Sequence, residues 1–172
     1  MIILQSFFDH YPTVEMRLSH FPELIQKYYD FAIEHSSGFL RKLFEFERDL
    51  RLIFAAFRAK KMGRDIVFEL QFESEENDLV QQIINQKDAK EYIPPEEYSE
   101  LKAIFQDQPL EMLKALCEYR FRKIEELLEG DAFSSDRILG YLAEWLIVHQ
   151  WNRLDKQEGE SIMNRIISGA AS

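Results

Sequence analysis

At 172 residues the chain is long enough for one domain with a real core, and a hydrophobic fraction of 46% with 14 phenylalanines excludes global disorder. A formal net charge of −10 argues against general nucleic-acid binding, which needs a basic footprint. One cysteine, Cys117, permits no internal disulfide and suits a reducing compartment, while scarce Gly (6) and Pro (5) favour long elements over turn-rich β architecture.

Met1 to Asp9 is apolar and reads as a short helix ended by the His10-Tyr11-Pro12 turn. No basic segment precedes it, which argues against a secretory signal. Glu23 to Glu34 follows Pro22 as a second helix, and His35-Ser36-Ser37-Gly38 breaks the chain. Ser37 to Gly63 then predicts one long helix, with Ser37 as N-terminal cap and Gly63 as the left-handed residue that ends it. At about 100° per residue, Phe39, Leu43, Phe46, Leu50, Ile53, Phe54 and Phe57 share one broad face. Leu52, Ala55 and Ala56 occupy other faces, as expected of the central helix of a bundle.

Asp65 is placed to cap a short helix over Ile66 to Phe72, and the acidic run Glu73 to Asp78 feeds another over Leu79 to Asn85. Gln86 to Tyr92 has no assignable pattern, and Pro94-Pro95 breaks the chain before a helix over Glu96 to Phe105. The weakest point, a hinge or lobe boundary within a single helical domain, is expected at residues 73–95. Pro109 to Glu129, closed by Gly130, is the second strong helix. Asp136 to Leu154, capped by Ser134 or Ser135, is the third, and Glu158 to Ser168 a last short one before a frayed end. The apolar stretch Ile138 to Trp151 contains Glu144 and His149 and is too short to span a bilayer. The expectation is an all-α, irregular bundle of about six to eight helices around a long central helix, in a cytoplasmic protein without direct membrane insertion.

No catalytic or metal motif is visible. None of His10, His20, His35 and His149 follows a glutamate at the spacing of di-iron bundles, and H-E-x-x-H, C-x-x-C, phosphate loops and G-x-S-x-G elbows are absent. No metal or cofactor is expected. His149 lies on an apolar stripe and reads as a hydrogen-bonded core residue; Cys117 reads as a small hydrophobe. Charge is unevenly placed, with five net positive charges over Arg41 to Arg64 and ten net negative over Asp65 to Glu118. Such a field suits docking to charged protein partners. Arg58, Lys60, Lys61 and Arg64 form the candidate contact surface, the alternative being compensation of the helix dipole. Glu47 with Arg51, one turn apart, and Arg120 with Glu144 are candidate buried ion pairs. A pocket near Arg120, Glu144 and His149 would be the site of an enzyme, and an unrelated helical adaptor is the other rival reading.

The run ERDLRLIFAAFRAKKMGRD (Glu47 to Asp65) resembles a segment of the helical C/d-type stalk protein of A/V-type ATPases, the funnel that couples the central rotor shaft to the membrane ring. It resembles more closely an uncharacterised family encoded alongside bacterial V/A-type ATPase subunits. QKDAKEYIPPEEYSELKAIF (Gln86 to Phe105), LCEYRFRKIEEL (Leu116 to Leu127) and LAEWLIVHQWNRLDKQEG (Leu142 to Gly159) look like that family too, so the resemblance covers about residues 40–165. It implies a non-catalytic accessory or central-stalk-type subunit, with Arg58, Ala59, Lys60 and Gly63 in the shared helix end. The partners would be ATPase subunits on the central-stalk or membrane-ring side. The C/d-type protein is about twice this length, with three similar bundles, so the resemblance implies association with the ATPase rather than equivalence to that funnel. Members of the uncharacterised family are longer at the N-terminus, which reads as a shortened chain or a fragment here.

Overall fold

A computed structural model of the chain describes residues 2–128, 134–152, 161 and 164. Among these residues the protein is all-α, with nine α-helices and no strand: α1 (Ile2–His10), α2 (Val14–Ser19), α3 (Phe21–Glu34), α4 (Gly38–Met62), α5 (Ile66–Glu69), α6 (Asp78–Asn85), α7 (Leu101–Ile104), α8 (Pro109–Leu127) and α9 (Ser135–Asn152). The chain divides into two compact units, residues 1–118 and 119–172.

The first unit is built on α4, which packs against α3, α5 and α6. Leu50, Leu52, Ile53, Ala56, Phe57 and Ala59 are all buried, and at about 100° per residue they cover roughly half the helix circumference. Leu52 and Ile53 are fully enclosed, and burial of each side chain contributes about 1.5–3 kcal/mol. Gly63 adopts φ +62°, and the turn closes as a Schellman motif: Arg64 N–H donates to Ala59 O at 2.8 Å and Gly63 N–H to Lys60 O at 3.3 Å. Ser37 occupies the N-terminal position in an extended conformation, but its side chain makes no capping hydrogen bond. Asp65 does cap α5, accepting from Val67 N–H at 2.9 Å.

One local expectation is revised, and one unassigned segment gains a helix. The segment after the His10-Tyr11-Pro12 turn contains α2, whose first turn is capped by Thr13 accepting from Met16 N–H at 3.2 Å. The helix expected over Glu96 to Phe105 splits into a 3₁₀ turn, Glu96–Tyr98, and α7. Tyr98 turns inward there, and its hydroxyl donates to Asp49 on α4 at 3.1 Å. Residues 73–95 lie within the first unit, and glutamine side chains hold part of that stretch. Gln86 Nε2 donates to Ile93 O and Ile93 N–H to Gln86 Oε1, both at 2.9 Å, and Gln82 Nε2 donates to Ile93 O at 2.9 Å.

In the second unit, Tyr119 and Ile124 of α8 are buried, and Gly140 of α9 is buried against Leu128. A Cβ at Gly140 would overlap the Leu128 side chain, so the absence of a side chain sets the approach. The expected helix over 158–168, Gly130 as a helix end and the frayed terminus fall outside the described residues, apart from Ser161 and Asn164.

Candidate functional site

The C-terminal turns of α4 end beside a groove of about 330 Å³. Phe57, Lys60 and Lys61 come from α4; Lys90, Glu91 and Tyr92 from the chain after α6; and Lys102, Phe105, Gln106 and Asp107 from α7 and the loop beyond it. Aromatic rings make the floor. Phe57 and Phe105 stack at 5.1 Å and 22°, and Tyr92 meets Phe57 edge-on at 5.4 Å. Tyr92 is almost wholly buried, and its hydroxyl donates to Gln82 Oε1 at 2.8 Å. Burial first, and the Asp49 carboxylate second, push its phenol well above its ordinary value, so it stays neutral.

Lysines form the rim, and each is held differently. Lys60 Nζ donates to three carbonyls, those of Gln86 at 2.8 Å and of Lys87 and Ala89 at 2.6 Å. α6 has no basic residue in its own last turn, so Lys60 supplies from α4 the cation that the end of α6 lacks. Lys61 pairs with Asp107 and sits 5.5 Å from the Phe105 ring centroid. Lys102 pairs with Glu91 at 3.1 Å, and Lys90 is exposed. With four lysines against two carboxylates, the groove combines an apolar floor with a net positive rim.

Of the four basic residues singled out in sequence, two line this groove. Lys60 and Lys61 line it, whereas Arg64 pairs with Glu69 at 3.2 Å, and Arg58 is exposed one turn before Lys61 and does not line the groove. Lys90, Lys102, Tyr92 and Phe105 were missed, because nothing in the local pattern of residues 86–105 reveals that they converge on the end of α4.

The charge pairing also differs from the local pattern of the sequence. Arg51 donates to Glu73, 22 residues away, at 2.6 Å, and that carboxylate is only 6% exposed. This desolvated partner lies far along the chain, where the local spacing of Glu47 and Arg51, one turn apart on the same helix, does not point. In the second unit the charges acting on Glu144 are those of Glu125 and Arg137; burial, then the Glu125 charge, raise its pKa above the ordinary carboxylate value. Arg137 pairs with Glu125 at 3.1 Å. His149 is exposed and stacks on Trp145 at 5.1 Å and 14°, so it is not a core residue. It points about 140° around α9 from Glu144, and the two do not converge on one pocket.

A second cavity in the first unit, about 710 Å³, is lined by six carboxylates, among them Asp49 and Glu73, with Arg48. Asp49 is engaged by Arg48 at 2.9 Å and by Tyr98. Among the described residues no group of three or more His, Cys, Asp or Glu is placed to hold a metal ion, and no helix is long and apolar enough to cross a membrane.

A family described as "Protein of unknown function (DUF2764)" matches residues 3–170. A protein of Chlamydia trachomatis serovar D, named "Uncharacterized protein", is 33% identical over 168 residues, covering 96% of this chain and 63% of the relative. Relatives from Chlamydia muridarum, 33% identical over 168 residues, and Chlamydia pneumoniae, 29% identical over 165 residues, cover 96% and 94% of the chain. The chain spans 62–63% of the length of these relatives. No solved structure matches.

Proposed function

The chain belongs to the DUF2764 family, and we propose that it is a non-catalytic accessory subunit of a bacterial V/A-type ATPase, docking through the groove at the end of α4. The observation that carries the docking mode is the lysine rim over an aromatic floor. Its chemistry suits an acidic segment that places one apolar side chain between Phe57, Tyr92 and Phe105. The resemblance of Glu47 to Asp65 to segments of proteins encoded with that ATPase supports the choice of partner. The protein would sit in the cytoplasm at the membrane only through the complex, with ATP hydrolysis performed by other subunits.

Calorimetry against purified central-stalk and catalytic-head subcomplexes tests this. Saturable binding is expected to one of them, weakening as salt rises because the rim contacts are screened. Lys90→Glu with Lys102→Glu should weaken it about tenfold or more, since each reversal places like charge against the acidic segment. No binding to either subcomplex would overturn the choice of partner. Binding untouched by the rim reversals would overturn the groove.

A further inference from the structure

We infer that the outer face of α9 is a two-fold contact between two copies of this chain. α9 is apolar on nearly all sides, and its inner side is already used: Gly140 is buried against Leu128, with Leu139, Ala143 and Ile147 half-buried. On the outer side Ile138, Tyr141, Leu142, Trp145, Leu146 and Val148 are exposed, Tyr141 by 69% and Trp145 by 50%. At about 100° per residue these six fall within an arc of roughly 160° centred near Trp145. Taking on the order of 200 Å² per residue of this size, they leave roughly 650 Å² of apolar surface facing water. The largest patch on a monomer is about 300–600 Å², and a stable interface buries about 800 Å² per partner. The face has the area of half a dimer interface.

Its chemistry selects a second copy over a charged partner. From Ile138 to Asn152 the one formally charged residue is Glu144, which lies outside that arc. The face therefore offers a charged partner nothing to pair with, and two copies meet on it without local repulsion. The pattern is also self-complementary. Tyr141 and Leu142 flank Trp145 on one side, Val148 and His149 on the other, so a two-fold axis through Trp145 sets Leu142 of one copy against Val148 of the other and Tyr141 against the His149 ring. At longer range two chains of net charge −10 repel, so added salt should strengthen this contact. That is the opposite of the salt response expected of the lysine groove, which separates the two interactions.

Sedimentation velocity of the whole chain over a concentration series is the test, read together with intrinsic fluorescence. The chain has 2 tryptophans, Trp145 and Trp151, and both lie on α9. A species of twice the 20.5 kDa chain mass is expected, favoured by salt, with emission moving to shorter wavelength as it forms. Trp145→Glu should weaken self-association by at least about 30-fold, the loss typical of a central aromatic anchor. Tyr141→Glu serves as an independent variant, and unchanged helicity in both shows that the fold survives. A wild-type chain that stays monomeric with solvent-exposed emission at all concentrations would overturn the inference, as would a dimer that persists in both variants.

Discussion

Replacing Lys60 by Met separates the structural from the binding reading of the lysine cluster. The Lys60 ammonium donates to the carbonyls of Gln86, Lys87 and Ala89. Hydrogen bonds to charged groups contribute about 1.5–3 kcal/mol each when their partners cannot turn to water. Lys87 and Ala89 are exposed, so their carbonyls regain water in the variant, whereas Gln86 is half-buried. The lost bond to Gln86 and the lost cation at the end of α6, worth about 0.3–1 kcal/mol, are partly offset by recovered side-chain entropy in the methionine. The net loss is about 2 kcal/mol, a fall in Tm of roughly 4–8 °C for a chain of this size. Thermal unfolding followed by circular dichroism measures it, with exposed Lys90→Met as the control, expected within about 0.5 kcal/mol of wild type. Lys60→Arg should recover only part of the loss, because a planar fork does not match three converging carbonyls. Equal Tm values for Lys60→Met and Lys90→Met would refute the reasoning and return Lys60 to the free rim.

Tyr92 is held neutral in the fold, while an unfolded chain ionises a phenol near 10.0. Above that pH the unfolded state loses its proton first, so stability should fall as pH rises. Urea midpoints should drop less steeply over this range in Tyr92→Phe; parallel slopes would contradict the burial argument. Gly63→Ala meets no neighbour within 4 Å and so isolates the strain of φ +62°. It should lose about 1 kcal/mol by urea titration, and no loss would place the helix end elsewhere. Glu144 has a folded pKa raised above its ordinary 4.5, so the stability tied to its proton is present below that value and lost as pH rises through the folded pKa. Glu144→Gln should therefore unfold at a higher temperature than wild type at pH 7, with the gap closing below about pH 4; a less stable variant at pH 7 would contradict that sign.

What was legible in the sequence was what one helix determines by itself. The apolar spacing of Phe39 to Phe57 marks α4, and Gly63 and Asp65 mark its end and the next start, because caps act within a few residues. α2 carried a signal too, Thr13 directly after Pro12, but six residues give too short a periodicity to stand out. Contacts between distant residues were not legible. Glu47 is the natural local partner of Arg51, and nothing local points to the buried Glu73, which pairs with Arg51 from 22 residues away. Likewise the basic end of α4 was legible, but not the groove that Lys60 and Lys61 share with Lys90 and Lys102. Gln86 to Tyr92 resisted assignment because side-chain amides of Gln82 and Gln86, with no helix or strand period, hold it in place. His149 misled because an apolar stripe is the pattern of a buried helix face, and the outer side of α9 is apolar and exposed.

The central claim is association with the rotary ATPase, and affinity purification of the tagged chain from its own cells at low ionic strength tests it most directly. Mass spectrometry should find ATPase subunits with the wild-type chain and find them depleted when Lys90 and Lys102 are reversed to glutamate. A well-folded chain that brings down none of the ATPase subunits would contradict the account.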